Sequence, residues 1–336
     1  MADNFWAGRR VFVTGATGLL GGWMVEELLR RRAHVVALVR DEIPRCLFRL
    51  AGLERRVTVV RGDLLDAGLL RRALVEHEVQ TVLHLAAQAL VGAAKLDPAG
   101  TLDVNVRGTW NILEAVRQTP TVTATVVASS DKAYGIPIHL PYTEDHPLQG
   151  EYPYDVSKSC ADLITRMYAV TYGLRVAITR CGNLFGGGDL NFSRMIPGLI
   201  RSTFNRQRFE IRSDGRYIRD FLYVKDAVAG YLTLAEQLTS RPDLRGEGFN
   251  FSMEVHPTVL EVVRLVLGLM EAEHLEPDVM NIASGEIREQ YLTAAKAAQT
   301  LGWSPVYTLE SGLCETIAWY GDYLEESTKS MAVAHG

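Results

Sequence analysis

The sequence predicts an α/β fold in which a doubly wound parallel sheet precedes a smaller C-terminal lobe. Over the first half of the chain, short β-branched segments alternate with longer amphipathic segments, as in repeated strand–helix–strand units. The short segments are largely apolar, which is typical of parallel strands covered by helices on both faces. This alternation stops near residue 182, where a glycine-rich polar segment begins.

The same patterns predict the individual elements. The strand candidates are 10–15, 34–39, 57–63, 81–87, 123–130 and 175–181, and the helix candidates are 20–32, 67–77, 101–118 and 154–172. Helices and short strands then continue to residue 323, and we expect the chain to cross back toward the sheet. Residues 325–336 have the composition of a flexible tail.

Composition excludes several classes of protein. The 336 residues are 47% hydrophobic and 22% charged, as in ordinary globular enzymes, and the net charge of −5 gives no basic surface for nucleic acid. The four cysteines lack a CxxC or zinc-ligand spacing, so we expect free thiols, no bound metal and a reducing compartment. The sequence shows neither a membrane-spanning run nor a signal peptide, which predicts a cytoplasmic protein.

A glycine cluster follows the first predicted strand. "VTGATGLLGG" places Gly15, Gly18 and Gly21 between that strand and the next helix. The first glycine permits a tight turn, the second lets the backbone approach a pyrophosphate, and the third allows close packing of helix on strand. The cluster therefore predicts a Rossmann-type NAD(P)-binding domain in residues 1–182. The same turn also contributes Thr17, Leu19 and Leu20 to the predicted cofactor site.

The end of the second strand bears on the choice between NAD and NADP. An acidic residue there would bind the adenosine ribose and repel a 2′-phosphate. Val39 holds that place and Arg40 follows it, and an arginine suits a 2′-phosphate. The pattern favours NADP, although Asp41 is close enough to reach the ribose. Further cofactor contacts are expected from Asp63, Leu64, Leu85, Ala86, Ala87, Gln88 and Ser129.

"YDVSK" places Tyr154 and Lys158 one helical turn apart on the same face. A phenol with an ordinary pKa near ~10 is a poor base at neutral pH. A nearby ammonium and a positively charged nicotinamide would lower that pKa, so that a phenolate could take a hydroxyl proton while hydride leaves the carbon. Ser130, at the end of the fifth strand, completes a candidate catalytic set.

Together these motifs resemble the extended short-chain dehydrogenases/reductases of the nucleotide-sugar epimerase/dehydratase type. The resemblance spans nearly the whole chain and includes "TGATGLLG", "GDLLD", "HLAAQ", "NVRGT", "SSDKAYG", "YDVSK", "RCGNLFGGGD", "RDFLYVKD" and "LGWSP". It implies that Ser130, Tyr154 and Lys158 are catalytic, the last two also binding the cofactor. It further implies that Asn105 orders the helix beneath the site, and that residues 183–324 form mainly a substrate-binding lobe.

"SSDKAYG" also resembles one branch of that family. In the 4,6-dehydratases an acid after the serine or threonine protonates the leaving C6 hydroxyl, and the next residue removes the C5 proton. Here the two residues are Asp131 and Lys132, a version that resembles CDP-glucose 4,6-dehydratases. The resemblance implies a lyase that acts on a nucleotide hexose, with CDP-glucose favoured. A lysine must be neutral to act as a base, so Lys132 could instead pair with Asp131 or with a substrate phosphate.

Three alternative functions stay open. "RYIRDFLYVKD" resembles the general epimerase/dehydratase form and Arg40 resembles the GDP-mannose branch, so one alternative is a GDP-mannose 4,6-dehydratase. A second is a nucleotide-sugar 4-epimerase, which needs only Ser130, Tyr154 and Lys158. A third is a regulatory dinucleotide-binding protein without catalysis, against which the intact catalytic set argues.

A sugar nucleotide carries two negative charges on its pyrophosphate, and arginine binds such groups through forked hydrogen bonds. The resemblance implies that Arg219 and Arg288 hold the pyrophosphate. It also implies that Asn183 donates to a phosphate or sugar oxygen, that Arg194 faces the same pocket, and that Ser130 contacts the sugar.

Two helix candidates predict self-association. Residues 101–118 and 154–172 carry apolar side chains on more than one face, namely Trp110, Ile112, Leu113, Leu163, Ile164 and Met167. One stripe would pack on the sheet, and the other could pair with a second copy of the chain. We expect a homodimer or a tetramer; the alternative is a thick core that buries both stripes.

Overall fold

The structure is a computed structural model that describes residues 5–136, 139–282 and 287–334. Its strands are β1 Arg10–Thr14, β2 His34–Val39, β3 Thr58–Arg61, β4 Thr81–His84, β5 Ala124–Ala128, β6 Val176–Cys181, β7 Asn183–Phe185, β8 Glu210–Ile211, β9 Ile218–Arg219, β10 Phe221–Tyr223, β11 Gly248–Phe251, β12 Asp278–Val279 and β13 Glu289–Gln290. Its helices are α1 Leu19–Arg30, α2 Leu47–Leu50, α3 Ala67–Glu76, α4 Val91–Leu96, α5 Pro98–Leu102, α6 Gly108–Arg117, α7 Pro153–Tyr172, α8 Met195–Phe204, α9 Val224–Leu238, α10 Val259–Leu269, α11 Ala295–Leu301 and α12 Leu309–Ala334.

Seven of these strands form one parallel sheet in the order β11-β6-β5-β4-β1-β2-β3. Each of the six strands expected from the sequence lies within its predicted range. The predicted doubly wound α/β fold is therefore confirmed. The chain leaves β1 toward β2 on one side and later returns to β4 on the other, so the topological switch point lies between β1 and β4.

Two hydrophobic layers cover the sheet. On one face the buried side chains of α3, α6 and α7 pack together, with Leu70 and Ile112 fully buried. On the other face α1 packs beside α9, where Met24 and Tyr231 are buried. Both faces are thus covered, which explains why the strands are apolar at nearly every position.

The seventh strand comes from beyond the predicted domain boundary. β11 pairs with β6 from Gly248 opposite Ile178 to Phe251 opposite Cys181. Its sequence, "GFNF", is short and has no β-branched residue, so it is not among the predicted strands. The expected return of the chain to the sheet is made by α9 and β11.

Two predicted elements differ from the structure. The expected helix at 101–118 is interrupted, because Asp103–Arg107 forms a π-helical turn between α5 and α6. The expected tail at 325–336 is helical through Ala334, because no proline or glycine stops α12 there; residues 335–336 lie outside the described residues. Among the helices of the described residues, none has the length and apolar character to cross a membrane.

A buried ion pair joins α7 to the sheet. Nε and Nη2 of Arg180 on β6 donate to the two carboxylate oxygens of Asp162 on α7, at 2.8 and 3.0 Å. Arg180 also donates to the Tyr134 hydroxyl at 2.8 Å, and that hydroxyl donates to Asn250 on β11 at 2.7 Å. A Cβ on Gly248 would lie 2.8 Å from the guanidinium carbon, so the glycine makes room for it.

Asp162→Ala should destabilise the protein strongly, because it leaves the Arg180 guanidinium buried without a counter-charge. We expect the free energy of unfolding to fall by about 3–5 kcal/mol, measured by urea denaturation. The matched control is Asp278→Ala, which opens an exposed pair with Arg208 at 2.6 Å. The control should lose less than about 1 kcal/mol; equal losses in the two variants would contradict the structural role of the buried pair.

Candidate active site

The predicted site residues converge at the carboxyl ends of β1, β4 and β5, which are neighbours in the sheet. The glycine turn follows β1, "HLAAQ" begins in β4, and "SSDKAYG" follows β5. The N-terminal part of α7 packs against the turn after β5. In open parallel sheets the carboxyl ends beside the switch point form the ligand-binding crevice.

The turn after β1 fits the pyrophosphate of a dinucleotide. Gly15 has a φ of +76°, and a Cβ there would lie 2.8 Å from the Ala86 nitrogen. A Cβ on Gly21 would lie 1.9 Å from the Gly15 oxygen, so internal packing requires both glycines. A Cβ on Gly18 would meet the Gly15 oxygen only at 3.4 Å, and no side chain caps the start of α1. The backbone N–H groups at the start of α1 are therefore not capped by a side chain. Gly18, which packing does not require, lets a phosphate approach these groups. The same turn holds the half-buried Thr17, Leu19 and Leu20.

Two carboxylates flank Arg40 just after the end of β2. Its guanidinium lies 2.6 Å from Asp41 and 4.0 Å from Asp63, and its side chain is 57% exposed. Asp63 also accepts the N–H of Leu65 at 2.9 Å, while Leu64 is buried. The positive charge of Arg40 is therefore offset within the protein.

The loop after β4 is held close to β1. Thr14 Oγ1 accepts the N–H groups of Leu85 and Ala86, each at 3.1 Å. The ring of His84 bridges the hydroxyls of Thr14 at 2.9 Å and Thr109 at 3.1 Å. Burial lowers the pKa of His84 to about 3, so this ring is neutral at physiological pH and serves as a structural link. The loop continues into the half-buried Ala87 and Gln88.

Asn105 occupies the π-helical turn before α6 and is buried. Its Oδ1 accepts the Gln88 N–H at 2.8 Å, and its Nδ2 donates to the Gln88 carbonyl at 3.0 Å. Nδ2 also donates to Ser157 Oγ at 2.9 Å, and Ser157 donates to the Tyr154 carbonyl at 2.6 Å. The interrupted helix thus connects the loop after β4 with α7. Ser157 is not among the predicted site residues, although it lies inside "YDVSK".

Tyr154 and Lys158 lie on the same side of α7 and are both buried. Lys158 Nζ donates to the Ala128 carbonyl at 2.8 Å and lies 6.0 Å from the centre of the Tyr154 ring. Burial raises the pKa of Tyr154 to about 12, although its hydrogen bond with Ser130 acts in the opposite direction. Burial also lowers the pKa of Lys158 to about 8. The structure therefore brings Ser130, Tyr154 and Lys158 together. The neighbouring Ser129 Oγ is buried without a hydrogen-bond partner among the described residues.

Asp131 and Lys132 begin a short 3₁₀ turn directly after β5. Ser130 Oγ donates to Asp131 Oδ1 at 2.9 Å and accepts the Lys132 N–H at 3.2 Å. Asp131 is 4% exposed, and burial raises the pKa of its carboxyl group, with the charge of Lys132 acting in the opposite direction. Lys132 Nζ donates to the Gln290 side-chain oxygen and forms no ion pair with a carboxylate of the described residues. The two side chains are therefore adjacent without forming the ion pair considered as one alternative.

Two predicted substrate arginines, Arg219 and Arg194, act through their charges on predicted catalytic residues. Arg219 on β9 is half-buried and donates to the Arg288 carbonyl at 3.1 Å. Burial raises the pKa of Asp131, and the charge of Arg219 lowers it. Burial likewise raises the pKa of Tyr154, and the charge of Arg194 lowers it. Both arginines therefore lie within electrostatic reach of the site.

The other two predicted substrate residues are more exposed. The Arg288 side chain is 77% exposed, and its guanidinium lies 3.6 Å from Asp214. Asn183 is exposed on β7 and donates to the Asp220 carbonyl at 3.2 Å.

A model of the NAD dependent epimerase/dehydratase family matches residues 11–250. The chain belongs to this family. The matched range contains the glycine turn, the residues after β5, and α7, which are the parts that form the site. The family expected from the motifs is thereby confirmed.

Several relatives in this family match nearly the whole chain. The CDP-glucose 4,6-dehydratase of Salmonella typhimurium is 33% identical over 94% of this chain and 92% of its own. The crystal structure of the dTDP-glucose 4,6-dehydratase of Streptomyces venezuelae, with NAD bound, has 27% identity and a TM-score of 0.84 over 93% of this chain and 97% of its own. The UDP-glucose 4-epimerase of Thermotoga maritima shares the fold, with 24% identity and a TM-score of 0.84 over 94% of this chain and 99% of its own.

Lys158→Met should remove a pH dependence from the stability of this family member. Because burial lowers the pKa of Lys158 to about 8, the folded protein releases this proton at lower pH than the unfolded chain. Between pH 8 and the unfolded value near ~10.4, the unfolded state binds more protons, so Lys158 makes stability rise with pH. Urea denaturation near pH 7 and near pH 10 should show a rise of about 1–3 kcal/mol in the parent relative to Lys158→Met. If the free energy of unfolding changed equally with pH in the parent and in Lys158→Met, the burial of the Lys158 amine would be contradicted.

Proposed function

We propose that this protein is a nucleotide-sugar 4,6-dehydratase, a lyase that converts an NDP-hexose into the NDP-4-keto-6-deoxyhexose. The observation that carries the proposal is the presence of Asp131 and Lys132 beside Ser130, Tyr154 and Lys158. With a bound dinucleotide as the hydride acceptor, the last three residues suffice for the oxidation and reduction of C4, and a 4-epimerase needs no further acid or base. Removal of water across C5 and C6 needs a further acid and a further base, and Asp131 and Lys132 supply both.

Tyr154 accepts the proton of the C4 hydroxyl in this proposal. C4 ends as a ketone, so this proton passes through solvent to replace the one that Asp131 gives to the leaving C6 hydroxyl. A bound dinucleotide supplies a reversible hydride acceptor, so the electrons that leave C4 return to C6 without net oxidation. Burial holds the pKa of Tyr154 at about 12 in the protein alone. The nearby Lys158 and the positive charge of the oxidised nicotinamide favour the phenolate and oppose burial.

Asp131 gives its proton to the C6 hydroxyl, which leaves as water. Burial raises the pKa of Asp131, which keeps this carboxyl group protonated at higher pH than an exposed one and suits a general acid. Lys132 takes the C5 proton. Its contact with a neutral amide, and not with a carboxylate of the described residues, supports the role of base over that of charge partner.

We favour CDP-glucose as the substrate because the Salmonella typhimurium relative carries that activity. The dTDP-glucose dehydratase of Streptomyces venezuelae, the GDP-mannose branch and the UDP-glucose epimerase mark the competing nucleotides. Arg219 and Arg194 would hold the pyrophosphate, with Asn183 as a further donor. To bind there, Arg194 would have to leave Asp189, 3.0 Å away, and Arg288 would have to leave Asp214.

We propose NAD as the cofactor, in place of the NADP that Arg40 favoured in the sequence. Arg40 is paired with Asp41 and lies near Asp63, so a 2′-phosphate would bring negative charge beside two carboxylates. The NAD dependence of the family and the NAD bound to the Streptomyces venezuelae relative support this choice.

We further propose that the protein works in a reducing compartment, the cytoplasm. Cys46, Cys160, Cys181 and Cys314 are all free, and two of them are buried in the core. Buried thiols with no disulfide role suit a cytoplasmic protein.

Purified protein incubated separately with CDP-glucose, dTDP-glucose, GDP-mannose and UDP-glucose should dehydrate one of them, with CDP-glucose expected first. Nuclear magnetic resonance and mass spectrometry should show a 4-keto-6-deoxy product, and absorbance should show no build-up of reduced cofactor. The dinucleotide released by denaturing the enzyme should be NAD. Epimerised sugar without loss of water would support the 4-epimerase, and stoichiometric reduced cofactor would indicate a dehydrogenase.

Two variants check the individual steps of that reaction. Asp131→Asn should still oxidise C4, so that reduced cofactor appears in a single turnover, while product formation falls by about 10²–10⁴-fold. Tyr154→Phe should block the earlier step and yield no reduced cofactor, although the sugar nucleotide should still bind. Full dehydration by Asp131→Asn would remove this residue as the acid.

We also propose that α6 and α7 form the contact of a homodimer or a dimer of dimers. Ile112 and Leu113 are buried against the sheet, whereas Trp110, Leu163 and Met167 remain 42%, 54% and 41% exposed. The two apolar stripes are therefore separate, and a single chain covers only one of them. A second copy of the same helices would cover the other stripe across a two-fold axis.

Leu163→Glu should reduce the assembly to monomers, because it places a charge in the middle of the exposed stripe. Size-exclusion chromatography with light scattering at micromolar concentration should show a loss of at least half of the parental mass. The control is Val306→Glu, which charges another apolar residue that is 85% exposed and lies outside α6 and α7. A monomeric parent, or an unchanged mass in Leu163→Glu, would contradict this interface.

A further inference from the structure

One hydrogen bond connects the candidate base to a distant part of the chain. Lys132 Nζ donates to the side-chain oxygen of Gln290, which lies 158 positions later on β13. Gln290 is 1% exposed. The family match ends at residue 250, well before this glutamine, and the proposed chemistry described above gives it no role.

We propose that Gln290 is a positioning residue for Lys132: its amide oxygen orients the amine without placing another negative charge beside it. The effect on turnover rests on the proposed dehydration, because that reaction assigns the C5 proton to Lys132. The effect on the lysine itself is independent of the substrate.

The neutral charge of the partner is the chemical basis of this proposal. A carboxylate at the same place would hold the lysine as an ammonium, because an opposite charge within about 4–6 Å favours the charged form. An amide oxygen accepts an N–H from either form. A neutral amine that donates one N–H to Gln290 keeps its lone pair available for a proton on the substrate.

The backbone around Gln290 is fixed on both sides. β13 pairs with β9, which places Gln290 opposite Arg219, and the Gln290 carbonyl accepts the Asp220 N–H at 3.1 Å. The Asp220 carboxylate then accepts the Leu292 N–H at 2.9 Å and the Ser252 hydroxyl at 2.7 Å. The Gln290 amide therefore extends from β13, a strand held in place by its pairing with β9. β9 also carries Arg219.

The second end of the Gln290 amide has no structural use. Its Nε2 is buried and has no hydrogen-bond partner among the described residues. A glutamine buried only for packing normally satisfies both ends of its amide. The Gln290 oxygen accepts from Lys132, and its Nε2 has no partner among the described residues. This arrangement favours a role in the site over a role in packing.

Charged groups from three elements surround Lys132. Asp131 lies on the same turn and Asp155 on α7, and burial raises the pKa of both carboxyl groups while the charge of Lys132 opposes it. From β9 come Arg219, whose charge also acts on Asp131, and after it Asp220, whose pKa burial raises to about 8. Lys132 therefore lies within electrostatic reach of Asp131 and Asp155, while its direct hydrogen-bond partner among the described residues is the neutral amide of Gln290.

The proton and electron balance of the assigned step is complete within the proposed reaction. The neutral amine of Lys132 takes the C5 proton, and the electron pair of that bond forms the C5–C6 double bond. The C6–O bond breaks as Asp131 delivers its proton, and water leaves. When the hydride that left C4 adds to C6, the Lys132 ammonium returns a proton to C5. The proton that Tyr154 took from the C4 hydroxyl then replaces, through solvent, the one that Asp131 gave up.

Competitive labelling of lysines with acetic anhydride, from about pH 6 to about pH 11, tests the charge state of Lys132 without any substrate. Mass spectrometry gives the midpoint pH at which Lys132 becomes reactive. Gln290→Glu should raise this midpoint by at least about one pH unit, and Gln290→Leu should not raise it. Gln207→Glu adds the same charge to an exposed glutamine and should leave the midpoint unchanged.

Turnover of the nucleotide sugar that the parent accepts tests the consequence. In Gln290→Glu at pH 7, exchange of the C5 hydrogen with deuterated solvent should slow by about tenfold and recover at higher pH. Oxidation of C4 in a single turnover should keep its parental rate, and KM should stay within about twofold. In Gln290→Leu the exchange should slow at every pH, because the amine is no longer oriented.

Parental midpoints and parental exchange rates in both Gln290 variants would overturn the proposal and make Gln290 a packing residue. Failure of the proposed function looks different. The parent would then form no 6-deoxy product from any sugar nucleotide, while the shift in labelling midpoint would still decide the role of Gln290.

Discussion

The buried ion pair between Arg180 and Asp162 is the constraint on which the geometry of the site depends. Asp162 lies one helical turn after Lys158, so the pair sets the distance between α7 and the sheet. Arg180 also reaches Tyr134, at the end of the turn that carries Asp131 and Lys132. One guanidinium thus holds the helix and the turn in place together. Because a buried charge is costly unless it is paired and hydrogen-bonded, this arrangement has few alternatives of similar energy.

Asp220 plays the equivalent part among the short strands that follow β6. Strands β8, β9, β10 and β13 are two or three residues long, so their backbone ladders hold little by themselves. Asp220 joins them: its backbone bonds Gln290 and Asn183, and its carboxylate bonds Ser252 and Leu292. These short strands are therefore joined through one buried residue, Asp220, which fixes the position of β13 relative to β9.

The sequence predicted those parts of the site that depend on local requirements. Gly15 and Gly21 are demanded by distances within one turn, and Tyr154 and Lys158 share a helix face by their spacing. Gln290 carried no such signal, because its contact with Lys132 exists only in the folded chain. β11 is a strand because β6 lies beside it, and its own residues do not favour one. The contact of the Arg288 guanidinium with Asp214 likewise exists only in the folded chain, and the motif that contains Arg288 does not indicate it.

The place of β11 at the end of the sheet has a consequence for how the chain is made. β6 is buried along its whole length, and its outer edge is covered only by β11, which is synthesised after α8 and α9. On the ribosome, the nascent sheet therefore presents an apolar edge with unpaired backbone groups until residues 248–251 emerge. Such an edge pairs readily with other chains. A fragment that ends before β11 therefore leaves this edge of β6 without its native partner.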